Sequence, residues 1–125
     1  MKMKTTYQYK VADLIQRVLS TVLQRESRDP RLAGVTITDV EVSQDLRDAN
    51  VYFTHLGDMS ETEEVLQALE RASGFLRSEL AQRTRLRRVP KLHFKFDDSL
   101  IRGQRIEALL EQIAKEREEG VTIDD

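Results

Sequence analysis

The sequence has no cysteine and no tryptophan, and only two prolines and two histidines among its 125 residues. Without cysteine there are no disulfides, thiolate zinc sites, iron–sulfur clusters or cysteine nucleophiles, a composition compatible with a reducing cytosol. Apolar runs stop at a few residues, as in Ala108-Leu109-Leu110, whereas a bilayer span needs about 20. The start, Met1-Lys2-Met3-Lys4-Thr5-Thr6, lacks the apolar stretch of a secretory signal. These absences predict a soluble cytoplasmic protein with no membrane partner. The length fits one domain, which buries roughly two thirds of the surface its unfolded chain exposes and needs no metal or disulfide. Its core is expected over about 7–113, with the acidic residues 116–125 as a fraying tail.

The inventory for catalysis is equally thin. His55 and His93 fall on different predicted strands, and neither has an acidic cluster at metal-ligand spacing. Asp97-Asp98 and Glu63-Glu64 are adjacent pairs, and neighbours on a strand or helix point apart. The glycines (34, 57, 74, 103 and 120) supply no phosphate-cradling loop and no GxxG spacing. No catalytic, cofactor-binding or metal-binding residue is expected, and the chain does not read as an enzyme.

What is present is charge, in blocks. A formal net charge of -2 hides +4 over residues 1–31, -8 over 32–70, +7 over 71–105 and -5 over 106–125. Binding responds to local fields and not to the average, so such alternation points to a charged partner as readily as to a solvated surface.

Apolar periodicity gives the elements. Val11, Leu14, Ile15, Val18, Leu19, Val22 and Leu23 recur every three or four residues, predicting a helix over 7–26 that Asp29-Pro30 ends. Val35 and Ile37 alternate with threonines before the phase jumps to Val40 and Val42. A one-residue slip inside a strand predicts a β-bulge near Asp39. Residues 43–48 form the turn, and 50–56 return as a second strand. Ser60 and Glu63 match a capping box, opening a helix with stripe Val65, Leu66, Leu69 and Ala72. Gly74 interrupts it, predicting a kink or break at Ala72-Ser73-Gly74, after which Phe75, Leu76 and Leu80 resume the pattern. Leu92, Phe94 and Phe96 alternate with Lys91, His93 and Lys95 in a third strand with a cationic outer face. Ser99 would cap a last helix with stripe Ile106, Leu109, Leu110 and Ile113.

The class is α+β, in the order α-β-β-α(kink)α-β-α. Strands one and two form an antiparallel hairpin. The long helical crossover makes strands two and three parallel, giving a three-stranded mixed sheet with helices packed on one face. This arrangement is similar to the type II KH domain, an RNA-binding architecture.

Six cations (Arg83, Arg85, Arg87, Arg88, Lys91 and Lys95) fall within thirteen residues that hold no acid. Guanidiniums are good forks for phosphate oxygens. Arg77, and Arg25, Arg28 and Arg31 around the end of the first helix, complete the candidate RNA-binding set. With Phe94 and Phe96 in the core, contacts should go to backbone and shape more than to base faces. The competing readings are that these cations pair with the acidic blocks at 58–70 and 107–119, and that the protein is a protein–protein adaptor using its acidic helix surfaces.

Several segments also resemble one bacterial family in order and separation. They are Arg28-Asp29-Pro30-Arg31-Leu32, Val35-Thr36-Ile37-Thr38-Asp39-Val40-Glu41-Val42-Ser43, Asp45-Leu46, Ala72-Ser73-Gly74, Leu86-Arg87-Arg88-Val89-Pro90-Lys91-Leu92-His93-Phe94, Asp97-Asp98-Ser99 and Gly103. Over roughly 9–113 the chain resembles the ribosome-binding factor A family. The resemblance implies a KH-like fold with an Ala-x-Gly kink in place of GxxG. It also implies binding to the immature 30S small ribosomal subunit, help in late maturation of 16S rRNA including its 5′-end region, and a role in cold adaptation. The expected partner is the free subunit and its rRNA, not the full ribosome, met by a monomer. Asn50, where members commonly carry a cation, and the acidic end from Glu116 are departures.

Overall fold

In the computed structural model, which describes residues 5–25 and 29–119, helix α1 (Thr6–Arg25) lies along the edge strand of a three-stranded sheet. Its apolar stripe buries Val11, Ile15, Leu19, Val22 and Leu23. Two glutamines fix its register on strand β1 (Thr36–Val42). Gln8 Nε2 donates to the Val42 carbonyl at 3.0 Å, and Gln16 Nε2 donates to the Ile37 carbonyl at 3.1 Å. Helix and strand are therefore antiparallel. Gln8 also closes a capping box: its Oε1 accepts from the Thr5 N–H, while its own N–H donates to Thr5 Oγ1.

Strand β1 pairs antiparallel with β2 (Asp48–Thr54), and β2 pairs parallel with β3 (Lys91–Phe96), as the crossover argument expects. The register shift lies between Ile37 and Asp39, the expected bulge. It turns Thr38 outward while Ile37 and Val40 both stay buried. In the hairpin turn Asp45 Oδ1 accepts from the Ser43 hydroxyl and the Arg47 N–H, and Leu46 is left-handed at φ 62°. That conformation costs a residue with a Cβ about 1–2 kcal/mol. The second strand ends at Thr54, two residues short of expectation. Its last ladder partner is Thr36, and Leu56 beyond it is exposed to solvent.

Helix α2 (Thr62–Arg83) is one uninterrupted helix of 22 residues, so of the kink or break expected at Ala72-Ser73-Gly74 the break is absent. Its buried residues Val65, Leu69, Leu76 and Leu80 stay in one helical phase on both sides of Gly74, and that continuous stripe outweighs the roughly 1 kcal/mol a helical glycine costs. Phe75 is not in the stripe; it is exposed. The capping box at Ser60 and Glu63 is also absent, because a short 3-10 turn (Met59–Glu61) leads into the helix. Together α1 and α2 cover one sheet face and close a single core that includes Phe53, Val51, Leu92 and Phe94.

Helix α3 (Ser99–Glu118) departs furthest from expectation. It buries no residue, and Ile106, Leu109 and Leu110 are each more than half exposed. It therefore does not join the packed helices. Ser99 is its first residue and not its cap; the Ser99 N–H donates to Asp97 Oδ1. Residues 116–118, expected to fray, are helical, and 120–125 lie outside the described residues.

Candidate nucleic-acid interface

Residues 84–90 join α2 to β3, and their apolar members determine where their cations point. Leu86 and Val89 pack against the core and Pro90 is buried, which leaves Arg85, Arg87 and Arg88 outside. In β3 the buried Leu92 and Phe94 do the same for Lys91 and Lys95. The connector and strand thus present five exposed cations in succession. Among the described residues none of the five is held in an ion pair, unlike Arg17 with Asp13, Arg83 with Glu79 and Arg102 with Asp98. No described side chain of the acidic blocks at 58–70 and 107–119 forms an ion pair with any of these five.

Three neighbours complete it. The Lys91 N–H donates to the Arg47 carbonyl at 2.8 Å, which brings the exposed Arg47 beside the start of β3. Arg47 stands in the most acidic block of the sequence, and only strand pairing reveals its place. His93 Nε2 meets Asp48 Oδ1 at 2.8 Å. A cavity of about 360 Å3 between α2 and β3 is lined by Glu70, Ser73, Lys91, Leu92, His93 and Phe94. Ser73, expected at a kink, and Lys91, expected in a cationic strand, therefore line one groove. Next to Ser73, Gly74 is exposed, and a Cβ built on it would meet nothing within 4 Å. Ala72 instead packs against the core. Exposed Phe75 follows Gly74, an aromatic face that stripe counting had assigned to the interior.

Two of the expected cations are engaged with the protein. Arg77 Nε donates to the Pro90 carbonyl at 3.2 Å and Nη2 to the Val89 carbonyl at 3.0 Å. Arg83 pairs with Glu79 at 3.6 Å. Arg25 and Arg31 are exposed but lie at the far end of the sheet. Arg31 shares a cavity of about 270 Å3 with His55 and Leu56, past the end of β2, whereas Lys91 stands opposite Asp48 in the backbone ladder at its beginning. The two ends are roughly 20 Å apart at 3.3 Å per strand residue. Arg28 lies outside the described residues.

The open face of the sheet carries a gradient of charge. Lys91 and Lys95 stand on β3, Asp39 and Glu41 on β1, with Tyr52 between. Burial, followed by the charges of Glu41, Asp39 and Asp97, pushes the Tyr52 phenol above its ordinary pKa. A polyanion meets attraction at β3 and repulsion at β1. No group of three or more His, Asp or Glu able to hold a metal occurs among the described residues. No helix of the described residues is long and apolar enough to cross a membrane.

Comparison with known proteins bears on the fold and the family. A family model described as ribosome-binding factor A matches residues 7–110, ending within α3. The crystal structure of ribosome-binding factor A from Thermus thermophilus is 33% identical, with a TM-score of 0.63 over 70% of this chain and 93% of that one. A Thermotoga maritima protein, a putative ribosome binding factor A solved by NMR, is 38% identical, with a TM-score of 0.64 over 75% and 91%. A homology model of the Thermus thermophilus factor, fitted into a cryo-EM map of a 30S complex, is 30% identical and scores 0.59 over 77% and 97%.

Proposed function

The chain belongs to the ribosome-binding factor A family, and on that premise we propose that it is an RNA-binding maturation factor of the small ribosomal subunit. It associates with the immature 30S particle and assists late maturation of 16S rRNA, including the 5′-end region. The observation that carries this reading is the run of exposed cations at Arg85, Arg87, Arg88, Lys91 and Lys95, none of them in an ion pair among the described residues. A Thermus thermophilus relative fitted into a 30S complex supports the choice of partner.

The mechanism needs no covalent step. Lysine and arginine side chains contact phosphates and set orientation, while the exposed Gly74 lets a backbone approach α2 closely. The bound protein holds a local rRNA conformation until maturation removes it. Such a factor works in the cytoplasm as a monomer, meets the free subunit in preference to the full ribosome, and matters most in the cold, where misfolded RNA rearranges slowly.

Sedimentation with purified small subunits and with full ribosomes tests the reading, repeated across a salt series. Binding should be confined to the free subunit. The log–log salt slope should be about -0.7 to -0.9 for each phosphate contact. A flat salt dependence would remove the electrostatic mechanism, and equal binding to full ribosomes would remove the maturation role.

A further inference from the structure

We infer that Arg77 is a positioning residue: from α2 it holds the basic connector in the shape that presents Arg85, Arg87 and Arg88 together. The inference rests on the RNA-binding reading above and names the device that makes its surface. Arg77 commits Nε and Nη2 to two successive carbonyls, those of Pro90 and Val89, thirteen and twelve residues away. A planar guanidinium can span two such acceptors at fixed spacing; an ammonium is a point charge and cannot.

The place it grips is suited to transmit order. Pro90 fixes its own φ and confines Val89 to extended backbone, so the last two residues of the connector behave as one stiff unit. Pro90 is buried and Val89 packs against the core. At the other end the Thr84 N–H and hydroxyl both bond the Leu80 carbonyl. Between these anchors lie Arg85, Leu86, Arg87 and Arg88, a span in neither helix nor strand. Releasing Arg77 removes the two hydrogen bonds that fix the backbone at Val89 and Pro90, and leaves the shape of the segment to the packing of Leu86, Val89 and Pro90 alone. The charge of Arg77 is then secondary to its geometry.

Three roles give three different results. The experiment compares wild type with Arg77→Lys and Arg77→Ala in small-subunit binding over a salt series, in thermal melting, and in backbone NMR relaxation of the free protein. A positioning role predicts that both variants lose about tenfold in affinity or more, that lysine does not rescue, and that the salt slope falls by the equivalent of two or three contacts. The amides of Arg85, Arg87 and Arg88 gain fast motion while those of α2 do not. Lysine binding like wild type, or a slope lower by a single contact, would make Arg77 an ordinary phosphate ligand and overturn the inference. A lowered melting temperature with unchanged slope and affinity also overturns it, by leaving Arg77 a purely structural role. If connector motion is unchanged, the inference fails alone and the RNA reading stands. If the connector loosens and subunit affinity does not change, the connector is no part of the interface, and the RNA reading of it fails too.

Discussion

Asp97 accepts the hydroxyl of Thr38 at 2.6 Å, from beyond the last strand to the bulge of the first. Its own N–H continues the parallel ladder to the Phe53 carbonyl, and its second carboxylate oxygen takes the Ser99 N–H at the start of α3. The bulge of β1, the end of β3 and the first turn of α3 thus meet at one carboxylate.

Thr38, then Ser99, and to a lesser degree the charge of Arg102, hold the Asp97 carboxyl below its ordinary pKa. A folded-state value below the unfolded one of about 3.9 gives stability that is complete above that pH and is lost as pH falls through the lower value. Melting of the wild type between about pH 4 and pH 2 should therefore fall more steeply than that of Asp97→Asn. Thr38→Val should shift the loss to higher pH. Parallel melting profiles for wild type and Asp97→Asn would show the carboxylate contributes nothing.

Gln8→Ala removes the α1 capping partner and leaves the Val42 carbonyl without its side-chain donor. The expected cost is roughly 1–2 kcal/mol, set mainly by the unmet buried acceptor, because the backbone N–H of residue 8 still donates to Thr5 Oγ1. Gln8→Glu keeps an acceptor for Thr5 but turns an oxygen toward the Val42 carbonyl, and should be no milder. Urea unfolding of both variants measures this. A cost below a few tenths would mean the helix is held by its apolar stripe alone.

Gly74→Ala isolates the role of the bare backbone. The residue is helical and exposed with open space beside it, so alanine should stabilise the protein by about 0.5–1 kcal/mol. If RNA approaches α2 here, the same variant should bind small subunits several-fold more weakly. Raised melting with unchanged binding would remove the close-approach role.

Reversal of Arg85, Arg87 and Arg88 to glutamate tests the surface itself. Among the described residues none of the three is held in an ion pair, so melting should change little. Binding should be lost, because attraction becomes repulsion at three points. Normal binding by this folded variant would move the interface to the opposite end of the sheet, around Arg25 and Arg31.

Which features the sequence made legible follows from how local their causes are. The bulge near Asp39 could be read because a strand has period two, and one slipped residue shows. The parallel pairing of β2 and β3 followed from the length and helical pattern between them. The unbroken α2 could not be foreseen at Gly74, since a glycine's helix penalty is visible in sequence and the packing that outweighs it is not. The stripe of Ile106, Leu109 and Leu110 marks an amphipathic helix but is silent on whether anything covers it. At the candidate site the exposed cations of the connector were legible from spacing. The separate fates of Arg77 and Arg85 were not: a letter does not say whether a guanidinium meets a carbonyl or a phosphate.

The glutamines that α1 lays along β1 also bear on self-association. An outer strand with free carbonyls is a template for another chain, and here Gln8 and Gln16 occupy two of those on β1. The opposite outer strand, β3, carries Lys91 and Lys95, whose like charges oppose alignment of a second copy against it. One border of the sheet is guarded by hydrogen bonding and the other by repulsion. Salt strips away the second and not the first, so any fibrous or amorphous aggregation promoted by high ionic strength should begin at β3.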